Sequence, residues 1–271
     1  MSDQPTEAEV KQRTRAVFNA AADFYDAAPL THWNEVAAKT LDRVGVARDE
    51  RVLDVCCGAG ASAIEAAKRG ARVTGVDMAE NLLELAAAKA RSAGLRNVEF
   101  IHSDMANIDL PEQSFDVVVC IFGIFFVPDM AGQLRDLWRF VTPGGRIAIT
   151  SWGERCLEPG STAILGALRQ FRPDLVSDES PWERIKTRDR FAELFAEAGL
   201  PEPDIETEPL ITPITDPDAL WKVALGSGIR GAINSLSDID REHMRADLRA
   251  LGAKELTSEI HYATVAKPAA A

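Results

Sequence analysis

The chain has 271 residues, 46% hydrophobic and 27% charged, and its 42 acidic against 30 basic side chains give a formal charge of −12. That length fits one large α/β domain or one domain with a cap. The acidity speaks against sequence-independent binding to nucleic acid or to an anionic membrane, and no apolar run approaches the roughly 20 residues of a membrane span.

The polar start, MSDQPTEAEVKQR, does not read as a secretory signal. Val10, Val17, Ala21 and Phe24 follow at helical spacing, Pro29 breaks the run, and a second helix is expected over Trp33 to Leu41. From Arg51 strands and helices alternate. Strands are expected at 51–55, 72–76, 98–102, 115–122 and 146–151, with helices at 61–69, 80–92 and around Met130, Leu134, Leu137 and Val141. This rhythm implies right-handed crossovers and a mostly parallel sheet covered on both faces. A Pro-Gly-Gly turn at 143–145 leads into the fifth strand. Residues 153–187 then read as a cap insertion with one helical patch, Ile164 to Phe171. An amphipathic helix carries Phe191, Leu194, Phe195 and Ala198. A strand at 204–212, two helical pieces at 217–225 and 239–251, and a last strand, Glu259 to Ala266, complete the chain. Residues 1–45 are expected to form a helical cap and 46–152 the nucleotide-binding core. Residues 153–271 would supply substrate-cap helices and the strands that finish the same sheet.

VLDVCCGAGASA, residues 52–63, is a buried strand running through Gly58 and Gly60 into a helix, one alanine from a dinucleotide fingerprint. Asp77 ends the second strand, where a carboxylate can hold ribose hydroxyls of either NAD or S-adenosylmethionine. Asp54 discriminates, because a pyrophosphate has no use for a carboxylate inside the first strand. A methionine moiety, with its ammonium and sulfonium, does. The plainer alternative is a carboxylate that ties down the turn. Asp104, at the end of the third strand, is either an acceptor for the adenine amino group or a helix cap. Four cysteines, Cys56, Cys57, Cys120 and Cys156, lack metal-binding spacing and fit reduced thiols in a cytoplasm.

Together VLDVCCGAG, VTGVDMAENLLELAAAKA, FIHSDMANIDLPEQSFDVVVC and FVTPGGRIAITSW resemble the successive motifs of class I S-adenosylmethionine-dependent methyltransferases. The resemblance is strongest to the ubiquinone/menaquinone-biosynthesis-like (type 11) small-molecule branch. It implies a Rossmann-like seven-stranded, mostly parallel sheet with helices on both faces, an antiparallel terminal strand and helical cap or lid insertions. It places Gly58, Ala59 and Gly60 against the methionine and ribose, with Asp77 on the ribose. Met78 packs on the adenine, and Asp104 and Met105 lie at the adenine edge. Backbone at Cys120 and Ile121 meets the amino group, Cys56 lends backbone nearby, and Tyr25 closes over the methionine. The family joins its last two strands by a short loop; this chain spends about 46 residues there, which implies a second lid element.

Methyl transfer asks the protein to align the acceptor and exclude water. The fourth strand ends C-I-F-G-I-F-F, without the Pro-Pro-aromatic motif of amino-group methylation and without an acid to bind a metal, so no metal is expected. Phe122, Phe125 and Phe126 should emerge at the carboxyl edge, where open sheets bind ligands. Trp33, Trp152, Trp182 and Trp221 fall in segments that would ring the pocket mouth. His32, in P-L-T-H-W, is the candidate base, with Tyr25 second. The expected activity is methyl transfer from S-adenosylmethionine to a small, largely apolar metabolite at O, N or C. A monomer or homodimer is expected, with no nucleic-acid partner and no membrane insertion. The alternatives are a non-catalytic S-adenosylmethionine-binding protein and an NAD-dependent oxidoreductase.

Overall fold

In a computed structural model the described residues are 6–27, 29–176 and 180–269. The first five residues of the polar N-terminus and the last two alanines lie outside them. The hydrophobic runs of the first half form β1 (Arg51–Val55), β2 (Arg72–Asp77), β3 (Val98–His102), β4 (Phe115–Ile121) and β5 (Val141–Trp152). Two longer strands, β6 (Asp204–Pro213) and β7 (Glu255–Ala266), complete one sheet of order β3-β2-β1-β4-β5-β7-β6. β1 to β5 pair in parallel, and β7 runs antiparallel between β5 and β6. The chain reverses its direction of travel between β1 and β4, and an open α/β sheet gathers its ligands at such a point.

Both faces of the sheet are covered, which is why its central strands are apolar on alternate and on successive residues alike. Val52, Val117, Val119 and Ala148 pack under α2 (Trp33–Val44) and α3 (Ala61–Lys68). Leu53, Val118, Ile147 and Ile149 face the other way, onto α5 (Met130–Phe140) and α7 (Arg188–Glu197). Helix α4 (Glu80–Ser92) crosses from β2 to β3.

Three segments build upward from the carboxyl edge. The first is α1 (Glu7–Ala21) with the turn that follows. The second, after β5, carries α6 (Gly160–Phe171) and a 3-10 turn, Pro181–Ile185. The third, between β6 and β7, carries α8 (Ala219–Leu225), α9 (Arg230–Asn234) and α10 (Asp238–Ala250). Among the described residues no helix is long and apolar enough to cross a membrane.

Several boundaries differ from those expected of the sequence. Val141 belongs to β5 rather than to α5: it pairs with Phe115, while Val117 pairs with Arg146, so Pro-Gly-Gly is a bulge inside a strand pair. Gly144 adopts φ 79°, and a Cβ on Gly145 would stand 2.8 Å from the carbonyl of Asp116. Helix α6 starts four residues before Ile164. Helix α9, one turn long, has no periodicity to read. β7 begins at Glu255, because its first residues pair with Pro213 and Thr212 across the open end of the hairpin.

Candidate active site

The site is built on the turn that leaves β1. Cys56, Gly58 and Gly60 all take left-handed backbone conformations, with φ of 58°, 52° and 79°. A Cβ on Gly60 would stand 2.9 Å from Ala86 Cβ and 3.3 Å from Ile64, so this glycine is required by helix packing and by its φ. At Gly58 a Cβ would stand 3.0 Å from the Tyr25 hydroxyl, so the absence of a side chain there lets Tyr25 lie over the turn. Ala59 is buried beneath, with Ala79 and Leu82.

Two carboxylates flank the turn. Asp77 accepts from the Gly58 amide (Oδ2, 2.8 Å) and the Ala79 amide (Oδ1, 2.9 Å), so it fixes the turn and keeps lone pairs free for a ligand. Burial pushes its pKa up against these bonds. Asp54 is 1% exposed and accepts from the Ser62 hydroxyl and the Ala63 amide at the start of α3. Burial raises its pKa to about 7, and the nearby charge of Asp77 acts in the same direction. The turn-tying role left open by the sequence is therefore present. Its partner, Ser62, sits inside the quoted motif, and a hydroxyl eight residues after an in-strand acid is the signal that identifies it.

At the far side of the turn Asp104 has the capping alternative. Its Oδ1 accepts from Ala106 N at 2.9 Å, and its Oδ2 meets Lys11 of α1 at 3.1 Å. Met78 offers its carbonyl to His102 Nε2 at 3.1 Å. Met105 approaches the Cys56 thiol, 3.7 Å sulfur to sulfur. Cys120 and Ile121 end β4 beside β1, and Cys120 faces the same turn. Cys57 is buried on the β2 side, next to Gly75.

Aromatic rings roof the turn. Trp33 stacks on Tyr25 (6.0 Å, 22°) and donates Nε1–H to the Tyr25 carbonyl at 3.2 Å. Phe18 meets both Tyr25 and Phe126 edge-on. Phe122 and Trp152 lie face to face, 4.1 Å apart, and Trp33 meets both edge-on. The strand expected to run to residue 122 stops at Ile121. Phe122 turns through φ 54° into a 3-10 turn, Ile124–Phe126, which throws the phenylalanines upward. Phe125 is 3% exposed and packs on Phe126 and Trp182. Trp221 sits half-buried in α8, without a ring contact to this group among the described residues.

His32 closes one wall, in contact with Trp33 (4.2 Å) and Trp152 (6.1 Å). It is 5% exposed. Its Nδ1 lies 3.2 Å from the Pro29 carbonyl and so carries the proton, while its buried Nε2 has no partner. Burial lowers its pKa to about 4. Among the described residues Nε2 is thus an unprotonated acceptor without a partner, on the opposite side of the ring from the Nδ1 bond to Pro29. Tyr25, the second candidate base, has its phenol pKa driven far up by burial, with Asp77 adding to it, so it stays protonated.

One residue with no sequence signal governs the front wall. Arg184, in the 3-10 turn Pro181–Ile185, donates to the carbonyls of Phe125 (2.7 Å), Val127 (2.9 Å) and Pro128 (3.0 Å). The caps also clasp each other: Arg230 of α9 binds Asp23 through both carboxylate oxygens, at 2.9 and 3.1 Å.

Comparison with known proteins bears on the family. Residues 52–145 match the family model described as a methyltransferase domain. A demethylmenaquinone methyltransferase of Listeria monocytogenes is 32% identical over 176 residues, which is 59% of this chain and 74% of the relative. Among solved structures, a putative methyltransferase from Bacillus halodurans superposes with a TM-score of 0.59 at 17% identity, over 86% of this chain and 99% of the other. The [4+2]-cyclase SpnF superposes with a TM-score of 0.61 at 18% identity, over 98% and 97%, a likeness of fold alone. The chain belongs to the class I S-adenosylmethionine-dependent methyltransferases, in their quinone-biosynthesis-like branch.

Proposed function

We propose that the acceptor is a small, uncharged, largely apolar ring compound of the quinol type, bound beneath Trp33, Phe122 and Trp152 and deprotonated by His32. The observation that carries this reading is His32 itself: a neutral imidazole with a buried, unpartnered Nε2, set among aromatic faces. Aromatic walls suit a flat ring, and the name of the Listeria relative points to the same chemistry.

The turn fits the cofactor. Gly58 leaves the space above it open to Tyr25, Asp77 retains acceptor capacity, and Asp54 provides negative charge below. In this reading Asp77 holds the ribose, Gly58 and Ala59 receive the methionine side, and Tyr25 lies over it. Cys56, Gly60, Met78, Asp104, Met105, Cys120 and Ile121 line the remainder. Bound S-adenosylmethionine supplies the electrophile, a methyl group on a positively charged sulfur. The chain's own residues do the rest. Trp33 and Trp152 orient the acceptor ring and exclude water, Phe122, Phe125 and Phe126 with Trp182 and Trp221 shape the pocket, and Nε2 of His32 takes the acceptor's proton as its nucleophilicity is needed.

The test is transfer of a labelled methyl group to a reduced naphthoquinone, with the product identified by mass. His32→Asn should lower kcat about 100-fold or more and leave the affinity for S-adenosylhomocysteine within twofold. Labelling of amines or peptides but not of the naphthoquinol would overturn the acceptor class; an unchanged kcat in the variant would remove the base.

A further inference from the structure

Cys56 occupies a backbone position that favours glycine. Its φ of 58° is strained for a residue that carries a β-carbon. Strain of this kind persists where the side chain has a use, and the neighbours of this thiol are two further sulfurs. Its Sγ lies 3.7 Å from the thioether of Met105, and it converges with the thiol of Cys120 on the space above Gly123. The three donors come from three separate chain segments: the exit of β1, the end of β4 and the 3-10 turn Met105–Asn107. Gly123 completes the arrangement by having no side chain. A Cβ there would stand 2.8 Å from Cys120 Sγ, 2.9 Å from Cys56 Sγ and 2.6 Å from Cys56 Cβ.

From this geometry we infer that Cys56, Cys120 and Met105 form a binding site for a soft monovalent cation of the Cu(I) type. Three sulfurs around a trigonal ion at metal–sulfur lengths of about 2.3 Å stand about 4 Å apart, close to the 3.7 Å between Cys56 and Met105. A disulfide would instead require the two thiols to close to about 2 Å. Among the described residues no group of three or more His, Cys, Asp and Glu side chains is placed to hold a metal, which leaves harder ions without ligands here. Thiolate and thioether sulfurs are soft ligands that suit Cu(I), zinc and iron–sulfur clusters, and of these a single ion held by only three sulfurs, one of them a thioether, suits Cu(I). The step is a proton-for-metal exchange. Cys56 and Cys120 each lose a thiol proton to solvent as a metal–sulfur bond forms, Met105 donates a lone pair, and no electron changes hands. Cys57 takes no part, because its sulfur points to Gly75 and bonds the Gly58 carbonyl on the β2 side. Cys156 lies in the cap after β5.

The test is an anaerobic titration of the ligand-free full chain with Cu(I) against the chelator bathocuproine disulfonate. The wild type should retain one equivalent. Cys56→Ser, Cys120→Ser and Met105→Leu should each weaken retention tenfold or more, whereas Cys156→Ser should not change it. The proposal fails if the wild type surrenders its copper to stoichiometric chelator, if Cys156→Ser abolishes retention, or if Met105→Leu binds as the wild type does. Met105→Leu guards against a cysteine variant that misfolds, since it conserves volume and removes only the thioether. Affinity for S-adenosylhomocysteine, measured on the same samples, reports on the cofactor site separately.

Discussion

Trp33 holds Tyr25 at both ends: its indole stacks on the phenol ring, and its Nε1–H binds the Tyr25 carbonyl at 3.2 Å. The tyrosine that overlies Gly58 is therefore held in place from α2. Trp33→Phe keeps the stack and deletes the hydrogen bond, worth about 0.5–1.5 kcal/mol. The expected outcome is a loss of about 2- to 12-fold in affinity for S-adenosylhomocysteine, read by calorimetry. An unchanged affinity would show that Tyr25 needs no support from Trp33.

As the proposed base, His32 implies an unusual acid limb. An ordinary histidine base loses activity as pH falls through about 6.5. Here burial holds the folded pKa at about 4, so kcat/KM should stay level down to about pH 5 on the acid side. Stability moves with the same group. Between about 6.5 and 4 the unfolded state takes up a proton that the folded state refuses, so stability falls as pH drops through that window. His32→Asn should remove this component from the pH dependence of Tm. A kinetic break near 6.5 assigned to His32 would contradict its burial.

Asp54 carries the opposite sign. Its folded pKa, about 7, is above the unfolded value of about 3.8, so its stabilising contribution is complete below about pH 4, is lost as pH rises from there to about 7, and changes no further above that. Asp54→Asn keeps an acceptor for Ser62 and should raise Tm at pH 8. It should also weaken S-adenosylmethionine more than uncharged analogues of the same shape. Because a cation beside Asp54 lowers its pKa, binding at pH 7 should release a fraction of a proton, visible as a buffer-dependent enthalpy.

Arg184 offers a clean separation of the two ligands. It satisfies three carbonyls of the segment 125–128, none of which belongs to the cofactor turn. Arg184→Ala should raise the acceptor KM several-fold with S-adenosylhomocysteine affinity unchanged, and Arg184→Lys should recover only part of the loss, since a single ammonium does not reproduce the fork. Equal loss of both affinities would mean a general loosening of the caps.

The floor of this site was legible in the sequence because its determinants are local. Strand, glycine turn and helix follow one another within residues 51–68, and Asp77 and Asp104 each mark the end of a strand. The roof was legible only in composition. Nothing near Arg184 in the chain reveals that it serves carbonyls more than 50 residues away, and nothing around His32 tells which ring nitrogen is left without a partner. Those are facts of tertiary packing. Val141 departs from its helical spacing for a related reason: the spacing from Leu137 competes with a pairing to Phe115 that only the folded sheet supplies. Helix α9 is too short for any period to accumulate.

The clasp between Asp23 and Arg230 has a kinetic corollary. Along with Lys11–Asp104 and Lys89–Asp26, it fastens the N-terminal helix by ion pairs that lie at or near the surface. Pairs of this kind contribute about 0–1 kcal/mol each and are screened over about 8 Å at physiological ionic strength. Residence time of anything held beneath α1 should therefore shorten as salt rises, while the hydrophobic floor is indifferent to it. Dissociation of S-adenosylhomocysteine followed by stopped flow from 0.05 to 0.5 M salt, repeated in Asp23→Asn, would separate the two contributions: ionic strength acts as a throttle on product release, and the variant should lose much of that sensitivity.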